Sequence, residues 1–200
     1  MASFVYRHPI LYNLMLKAIH QKALNRRYRY ISKSIGKNKT VFELGCGTAR
    51  MHKFLHRSCK YVGWDLNRTF VEYCRRKGIN AKTKDIFDFS EYPENDVTVI
   101  CDVLHHVFPN DRSLVEHAAI NTKKLIIIEP YDIGKVRLPN FIIKRLQAFD
   151  DDGINEDDER HGWGIGQYKK ILEKFGSSIM VKTKQINLDL VAVFDLRKAF

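Results

Sequence analysis

No acidic side chain occurs in the first 42 residues of this 200-residue chain, although that stretch holds nine Lys or Arg. The formal charge of +11 is therefore concentrated rather than spread. Its counterweight is "DDDGINEDDE" at 150–159, with seven acids and no base. Long apolar runs are absent as well, since none reaches the roughly 18 residues that a bilayer-spanning helix needs. Arg7, His8 and Lys17 interrupt the apolar residues near the N-terminus, and no small-residue cleavage site follows. That layout does not predict a secretory signal, and a cytoplasmic location is expected. Cysteine is sparse: Cys46, Cys59, Cys74 and Cys101 lie far apart, with no Cys-x-x-Cys or Cys/His spacing. Such spacing argues against a disulfide scaffold and a zinc site, so no metal is expected. There is no internal repeat and no long low-complexity tract. With 44% apolar and 28% charged residues, one ordinary domain with a sizeable core remains.

What is present falls into an ordered pattern. "HPILYNLMLKAIHQKALNRRYRYISKSIGK" predicts helix, with Pro9 suited to a first turn and Gly36 to a C-terminal stop. Leu24, Tyr28, Ile31 and Ile35 share one face. Lys22, Arg26, Arg29 and Lys33 repeat at the same spacing, offset by about 200° at roughly 100° per residue. One side packs; the other is a cationic stripe. That stripe reads as a solvated face, or as a surface for an acidic substrate, an anionic membrane surface or RNA.

Strands are expected at 40–45, 60–66, 79–85, 96–103, 123–130, 178–186 and 188–196. Helical segments are expected at 48–57, at 67–77 with Asn67 or Thr69 as cap, at 111–120 and at 167–175. Apolar strands alternating with amphipathic helices predict an α/β fold, a mostly parallel sheet covered on both faces. The last two strands, with no helix between them, should form an antiparallel hairpin. Residues 1–38 read as an N-terminal helical segment. Residues 39–200 read as the core domain, with an irregular insertion at about 131–166 above the strands' carboxyl edge, where open α/β sheets bind ligands.

The stretch "TVFELGCGTARMHKFL" at 40–55 carries the chemistry. Gly45 permits a sharp turn after a strand, and Gly47 lets a ligand approach the backbone and the N–H groups that follow. The third glycine of a dinucleotide fingerprint would fall at Arg50, a poor residue for close helix–sheet packing. Glu43, just below the turn, suits a cationic ligand better than a pyrophosphate. Asp65, ending the second strand, can accept from ribose hydroxyls. Asp85 can accept from an adenine amine while Ile86 packs on the ring. Three successive strand-end acids describe a nucleoside site with a positively charged tail.

With these residues in place, the chain resembles the class I S-adenosylmethionine-dependent methyltransferases, most closely the small single-domain kind. "VFELGCGTA" is similar to the family's first motif, with Ala49 in place of its usual third glycine. "YVGWDLN" resembles the second-strand acidic motif, "KDIFDF" the adenine-contacting third, and "CDVLHHV" the segment lining the methionine end. The likeness covers residues 40–130 clearly and the closing hairpin more loosely. It implies a Rossmann-like seven-stranded sheet of order 3-2-1-4-5-7-6 with strand seven antiparallel, and a variable lid at the N-terminus, here the helical segment 1–38. It also implies S-adenosyl-L-methionine as cofactor, held by Glu43, Gly45, Cys46, Gly47, Asp65, Leu66, Asp85, Ile86, Cys101 and Asp102.

His105, His106 and Glu129 are the candidate catalytic residues, because a near-neutral imidazole suits proton removal from an acceptor. The competing reading has one histidine packing on the cofactor and the other fixing backbone. Glu129 equally suits a strand-end acid paired with a lid arginine. Tyr12, His161 and Trp163 are candidate substrate contacts. Arg26 or Arg27 could instead clamp the cofactor carboxylate. The expected activity is methyl transfer to a small-molecule or lipid-type acceptor by in-line displacement. The rivals are an RNA (tRNA) methyltransferase gripping phosphate with the basic helix and a non-catalytic S-adenosylmethionine-binding module. A nicotinamide oxidoreductase is disfavoured by the missing glycine.

Overall fold

The computed structural model describes residues 4–130, 165–173, 180–187 and 189–196. Seven strands form one sheet: β1 (Thr40–Leu44), β2 (Lys60–Asp65), β3 (Ala81–Thr83), β4 (Val97–Cys101), β5 (Lys124–Pro130), β6 (Met180–Ile186) and β7 (Asp189–Asp195). Their order is β3-β2-β1-β4-β5-β7-β6. The first five run parallel, and β7 is antiparallel to both β5 and β6. Order and direction agree with the expectation from the sequence. The expected insertion at 131–166 falls, save for its last two residues, outside the described residues.

The side-chain alternation of the strands explains why both faces must be covered. Val41, Val97, Val99, Ile126, Ile128, Val191 and Val193 point to one core, with Leu24, Tyr28, Ile31 and Ile35 of helix α1 (Pro9–Ile35) and Val71 and Cys74 of α2 (Arg68–Arg75). Phe42, Leu44, Ile100, Leu125, Ile127, Ala192 and Phe194 point to the other. There they meet Leu114, Val115, Ala118 and Ala119 of α3 (Asp111–Ile120) and Tyr168 and Leu172 of α4 (Ile165–Leu172).

Several element boundaries differ from the sequence reading. The expected helix at 48–57 is a single 3-10 turn, Met51–Phe54. Ala49 takes φ +49, which no α-helix admits, and Arg50 is pulled towards Asn13, whose side-chain oxygen accepts from its Nη1 at 2.8 Å. Helix α1 is broken at Gln21 (φ 47, ψ −129). Its second half packs one face on the core, through Leu24, Tyr28, Ile31 and Ile35, while its first half crosses the turn after β1. Local chemistry is obeyed elsewhere. The Asn67 side chain accepts from the Phe70 N–H at the start of α2, as a capping residue should. Gly36, at φ 88, closes α1 with its N–H on the Ser32 carbonyl.

Candidate functional site

The carboxyl ends of β1, β2, β4 and β5 and the start of β7 share one edge of the sheet, and most of the sequence candidates gather there. At the turn after β1, Gly45 has φ +64 and Gly47 φ +52. A side chain at Gly45 would be strained twice over, because its Cβ would stand 2.4 Å from Val103 Cγ2. Asp65, at the end of β2, ties this turn to the next. Its Oδ2 accepts from the Gly47 N–H at 2.6 Å and its Oδ1 from the Asn67 N–H at 2.8 Å. Beside it, Leu66 is half exposed. Asp85 lies two residues beyond β3 rather than at its last position, with Oδ1 accepting from the Phe87 N–H at 2.9 Å, and Ile86 is buried. Tyr12 of α1 lies over the turn, within ordinary contact distance of the space above Gly47, and packs on the Tyr6 and Phe70 rings.

Glu43 departs from its expected character. It is buried, 4% exposed, and takes a hydrogen bond from the Tyr61 hydroxyl. Burial pushes its carboxyl up to about 8, opposed only in part by the Tyr61 bond. At pH 7 it is mostly protonated, so it does not present the bare anion that a cationic ligand would seek.

Asp102 follows Cys101 at the end of β4, and its carboxylate is gripped by Arg27. The guanidinium donates to Oδ1 at 3.1 Å and to Oδ2 at 2.5 Å, and its Nη1 also reaches Asp189 Oδ2 at 3.2 Å. Arg27 is fully buried. Burial works against its charge, but the attraction of Asp102, Tyr28, Cys101 and Asp189 holds its pKa well above the ordinary value. Burial likewise pushes the Asp102 carboxyl up, yet Arg27, His20 and His105 together outweigh it and the net direction is down. With its charge spent on two aspartates, Arg27 does not offer the fork that a carboxylate clamp needs; Arg26 is exposed. His20 Nδ1 stands 3.4 Å from Asp189 Oδ2. Among the described residues, His20 Nδ1, Asp189 Oδ1 and Arg27 Nε accept or donate no hydrogen bond.

Glu129, at the end of β5, forms a second buried knot, and among the described residues it pairs with no arginine. Its Oε1 accepts from the Val103 and Leu104 N–H groups at 2.8 and 2.7 Å, and its Oε2 lies 2.6 Å from His105 Nδ1. Glu129 thus holds the segment after β4 and orients His105. If Nδ1 carries the proton towards Glu129, Nε2 is left as an acceptor. The His106 ring packs 4.0 Å from that of His105, centroid to centroid. His161 and Trp163 lie outside the described residues. Among the described residues no group of three or more His, Cys, Asp or Glu is arranged to hold a metal.

Residues 41–124 match a family model described as methyltransferase domain. The fold is that of the class I S-adenosylmethionine-dependent methyltransferases. A trans-aconitate 2-methyltransferase of Mycobacterium ulcerans (strain Agy99) is 28% identical over 85 residues, covering 41% of this chain and 32% of that protein. The match therefore spans about a third of that relative's length. An O-methyltransferase family protein from Burkholderia thailandensis superposes with a TM-score of 0.69 at 16% identity, over 95% of this chain and 61% of that one. Magnesium protoporphyrin IX methyltransferase from Synechocystis PCC 6803, solved with bound S-adenosylhomocysteine, gives 0.62 at 16% identity over 90% and 84%. The methyltransferase match ends before Glu129 and Asp189 and begins after His20 and Arg27, so the knots around Asp102 and His105 are completed from outside it.

The sequence reading missed Tyr61, His20, the Arg27–Asp102 pair and Asp189. Two signals were available. Arg27 falls among Leu24, Tyr28 and Ile31 on the apolar face of its helix, and Asp189 heads the apolar run "LVAVF". A cation and an acid both set in core positions invite pairing.

Proposed function

We propose that this chain is an S-adenosylmethionine-dependent methyltransferase acting on a small polar or lipid-type acceptor. The observation that carries the reading is the Gly45–Gly47 turn tied by its own N–H to Asp65, with Asp85 and buried Ile86 just beyond the next strand.

The residues fit the cofactor. Asp65 and Asp85 supply acceptors of the kind that ribose hydroxyls and an adenine amine need, and Leu66 and Ile86 supply apolar surface. Backbone groups at Gly45, Cys46 and Cys101, with Gly47 and Asp102 beside them, would hold the amino-acid end. When bound, S-adenosylmethionine supplies an electrophilic methyl group on a positively charged sulfur, with a neutral thioether as leaving group.

The chain's own work is alignment, water exclusion and, where the acceptor needs it, proton removal. Tyr12 and α1 close over the turn after β1. Glu129 fixes the backbone at 103–104 and turns His105 so that its Nε2 can take a proton; the His106 ring packs at a tilt against it. The four cysteines are free thiols, which supports a reducing, cytoplasmic setting.

The experiment is calorimetric titration with S-adenosylhomocysteine, followed by transfer of radiolabelled methyl into fractionated cell extract. Label in small aqueous or organic-soluble material supports the acceptor class, whereas label in RNA replaces it. Binding with no label in any fraction points to a module that holds the nucleoside without turnover. No binding at all sinks the reading.

A further inference from the structure

Beyond the methyl-transfer reading and independent of it, we infer that the solvent face of α1 docks on an anionic lipid surface. Ahead of the break at Gln21 its exposed apolar residues are Ile10, Leu11 and Leu14, at 68%, 41% and 54%, and Phe4, in the 3-10 turn Phe4–Arg7 that precedes the helix, is 64% exposed. Isolated exposed leucines are ordinary, but four large apolar side chains within eleven residues form a patch. Ile10 and Leu14 are one helical turn apart, so they project together.

Charge lies on both sides of the break at Gln21. Arg7, Lys17, Lys22, Arg26, Arg29 and Lys33 are all exposed, and among the described residues none of them forms an ion pair. With no Asp or Glu before Glu43, nothing on the helix itself neutralises them. Beyond the break at Gln21 the other side of the helix is in the core through Leu24, Tyr28, Ile31 and Ile35, and ahead of it Leu16 and Tyr12 pack on the same core, so both exposed sides are held in place.

An apolar edge for insertion beside a row of Lys and Arg is what an interfacial helix needs. The two other polyanionic or apolar partners fit less well. RNA would use the cations but gains nothing from exposed Ile10 and Leu14. A second copy of the chain would use the apolar patch, but a twofold contact would press the cationic row against itself. The geometry gives docking a consequence: Tyr12, on the same helical turn as Leu11, covers the Gly47 turn, so the surface would lie beside the mouth of the site.

Vesicle flotation of the full chain tests this, using phosphatidylcholine alone and phosphatidylcholine mixed with phosphatidylglycerol. The wild type should partition onto the anionic vesicles at least about tenfold better than onto the neutral ones, with binding falling as salt is raised. Ile10→Ser with Leu14→Ser, which leaves net charge unchanged, should lose about tenfold or more of that binding. Lys22→Gln, Arg26→Gln and Arg29→Gln together should lose as much.

Equal partition onto both vesicle types overturns the inference, and that wild-type comparison decides even if a variant misfolds. Undiminished vesicle binding by the Ile10/Leu14 variant also overturns it, as does transfer RNA that displaces the protein from vesicles and binds that variant as tightly as wild type. A concentration-dependent dimer in sedimentation that the Ile10/Leu14 variant abolishes would assign the patch to a second copy instead. None of these readouts depends on turnover.

Discussion

Arg27 and Asp102, 75 residues apart, are joined by two parallel hydrogen bonds of 3.1 and 2.5 Å, and Arg27 is fully buried. The pair locks the middle of α1 to the residue that follows β4. Asp102 takes φ +56, a left-handed conformation that costs a non-glycine residue on the order of 1 kcal/mol or more. Its N–H bond to the Ile128 carbonyl at 2.9 Å and the Arg27 fork hold it there.

Arg27→Leu should therefore destabilise the fold by about 3–5 kcal/mol, because it leaves fully buried Asp189 and partly buried Asp102 without their cation. Arg27→Lys should recover only part, since an ammonium cannot make the fork. Denaturant unfolding measures both. A loss below about 1 kcal/mol for the leucine variant would mean that the pair is energetically neutral. The sign with pH follows from Asp102, whose carboxyl is held below its ordinary range. Its contribution is complete above that range and fades as pH falls through the lowered value.

Glu43 should act in the opposite sense. Its carboxyl stands at about 8 against an ordinary 4.5, so the native state keeps a proton that the unfolded chain gives up between those values. The contribution is complete below about 4.5 and is lost as pH rises towards 8. Glu43→Gln, a neutral isostere that can still accept from Tyr61, should flatten this part of the stability profile. Relative to wild type it should gain on the order of a few kcal/mol at mildly alkaline pH. Melting temperatures of the two proteins across that window test it; parallel profiles would refute the assignment.

Asp65→Ala removes a carboxylate that bonds the Gly47 and Asn67 N–H groups. Binding of S-adenosylhomocysteine should weaken by about 1–3 kcal/mol, read by calorimetry. Unchanged affinity in a folded variant would separate Asp65 from the nucleoside.

Glu129→Gln tests the orientation of His105. The amide oxygen can still accept from Val103 and Leu104, but an amide N–H facing Nδ1 favours the reverse tautomer and gives Nε2 the proton. If His105 removes a proton from the acceptor, kcat should fall by about a hundredfold with cofactor affinity retained. His106→Ala, which leaves the Glu129 contacts intact, should act less severely. Equal turnover in wild type and Glu129→Gln would leave Glu129 with a purely positioning role.

Much of the molecule was legible from residues near one another in the chain. The Gly45–Gly47 turn, the Asn67 cap, α3 and the closing hairpin rest on backbone freedom, local hydrogen bonds and periodicity, and a dozen residues are enough to express them. Asp65 and Asp85 could be placed because each ends or follows a strand whose neighbours in the sheet were already implied.

Other features needed the chain to fold back on itself. Glu129 meets His105 across 24 residues, and Arg27 meets Asp189 across 162; no window of sequence contains both partners. The state of Glu43 depends on burial beneath Tyr61, and a carboxyl in a dry site binds its proton far more tightly than the same residue in water. The helix expected at 48–57 yielded to Asn13, which lies far ahead of Arg50 in sequence and beside it in space. Sequence alone determined which strand ends share the carboxyl edge of the sheet, because side-chain period and turn chemistry are short-range. Tertiary structure decided which charges are spent on one another there, because desolvation and pairing are set by neighbours that only packing supplies.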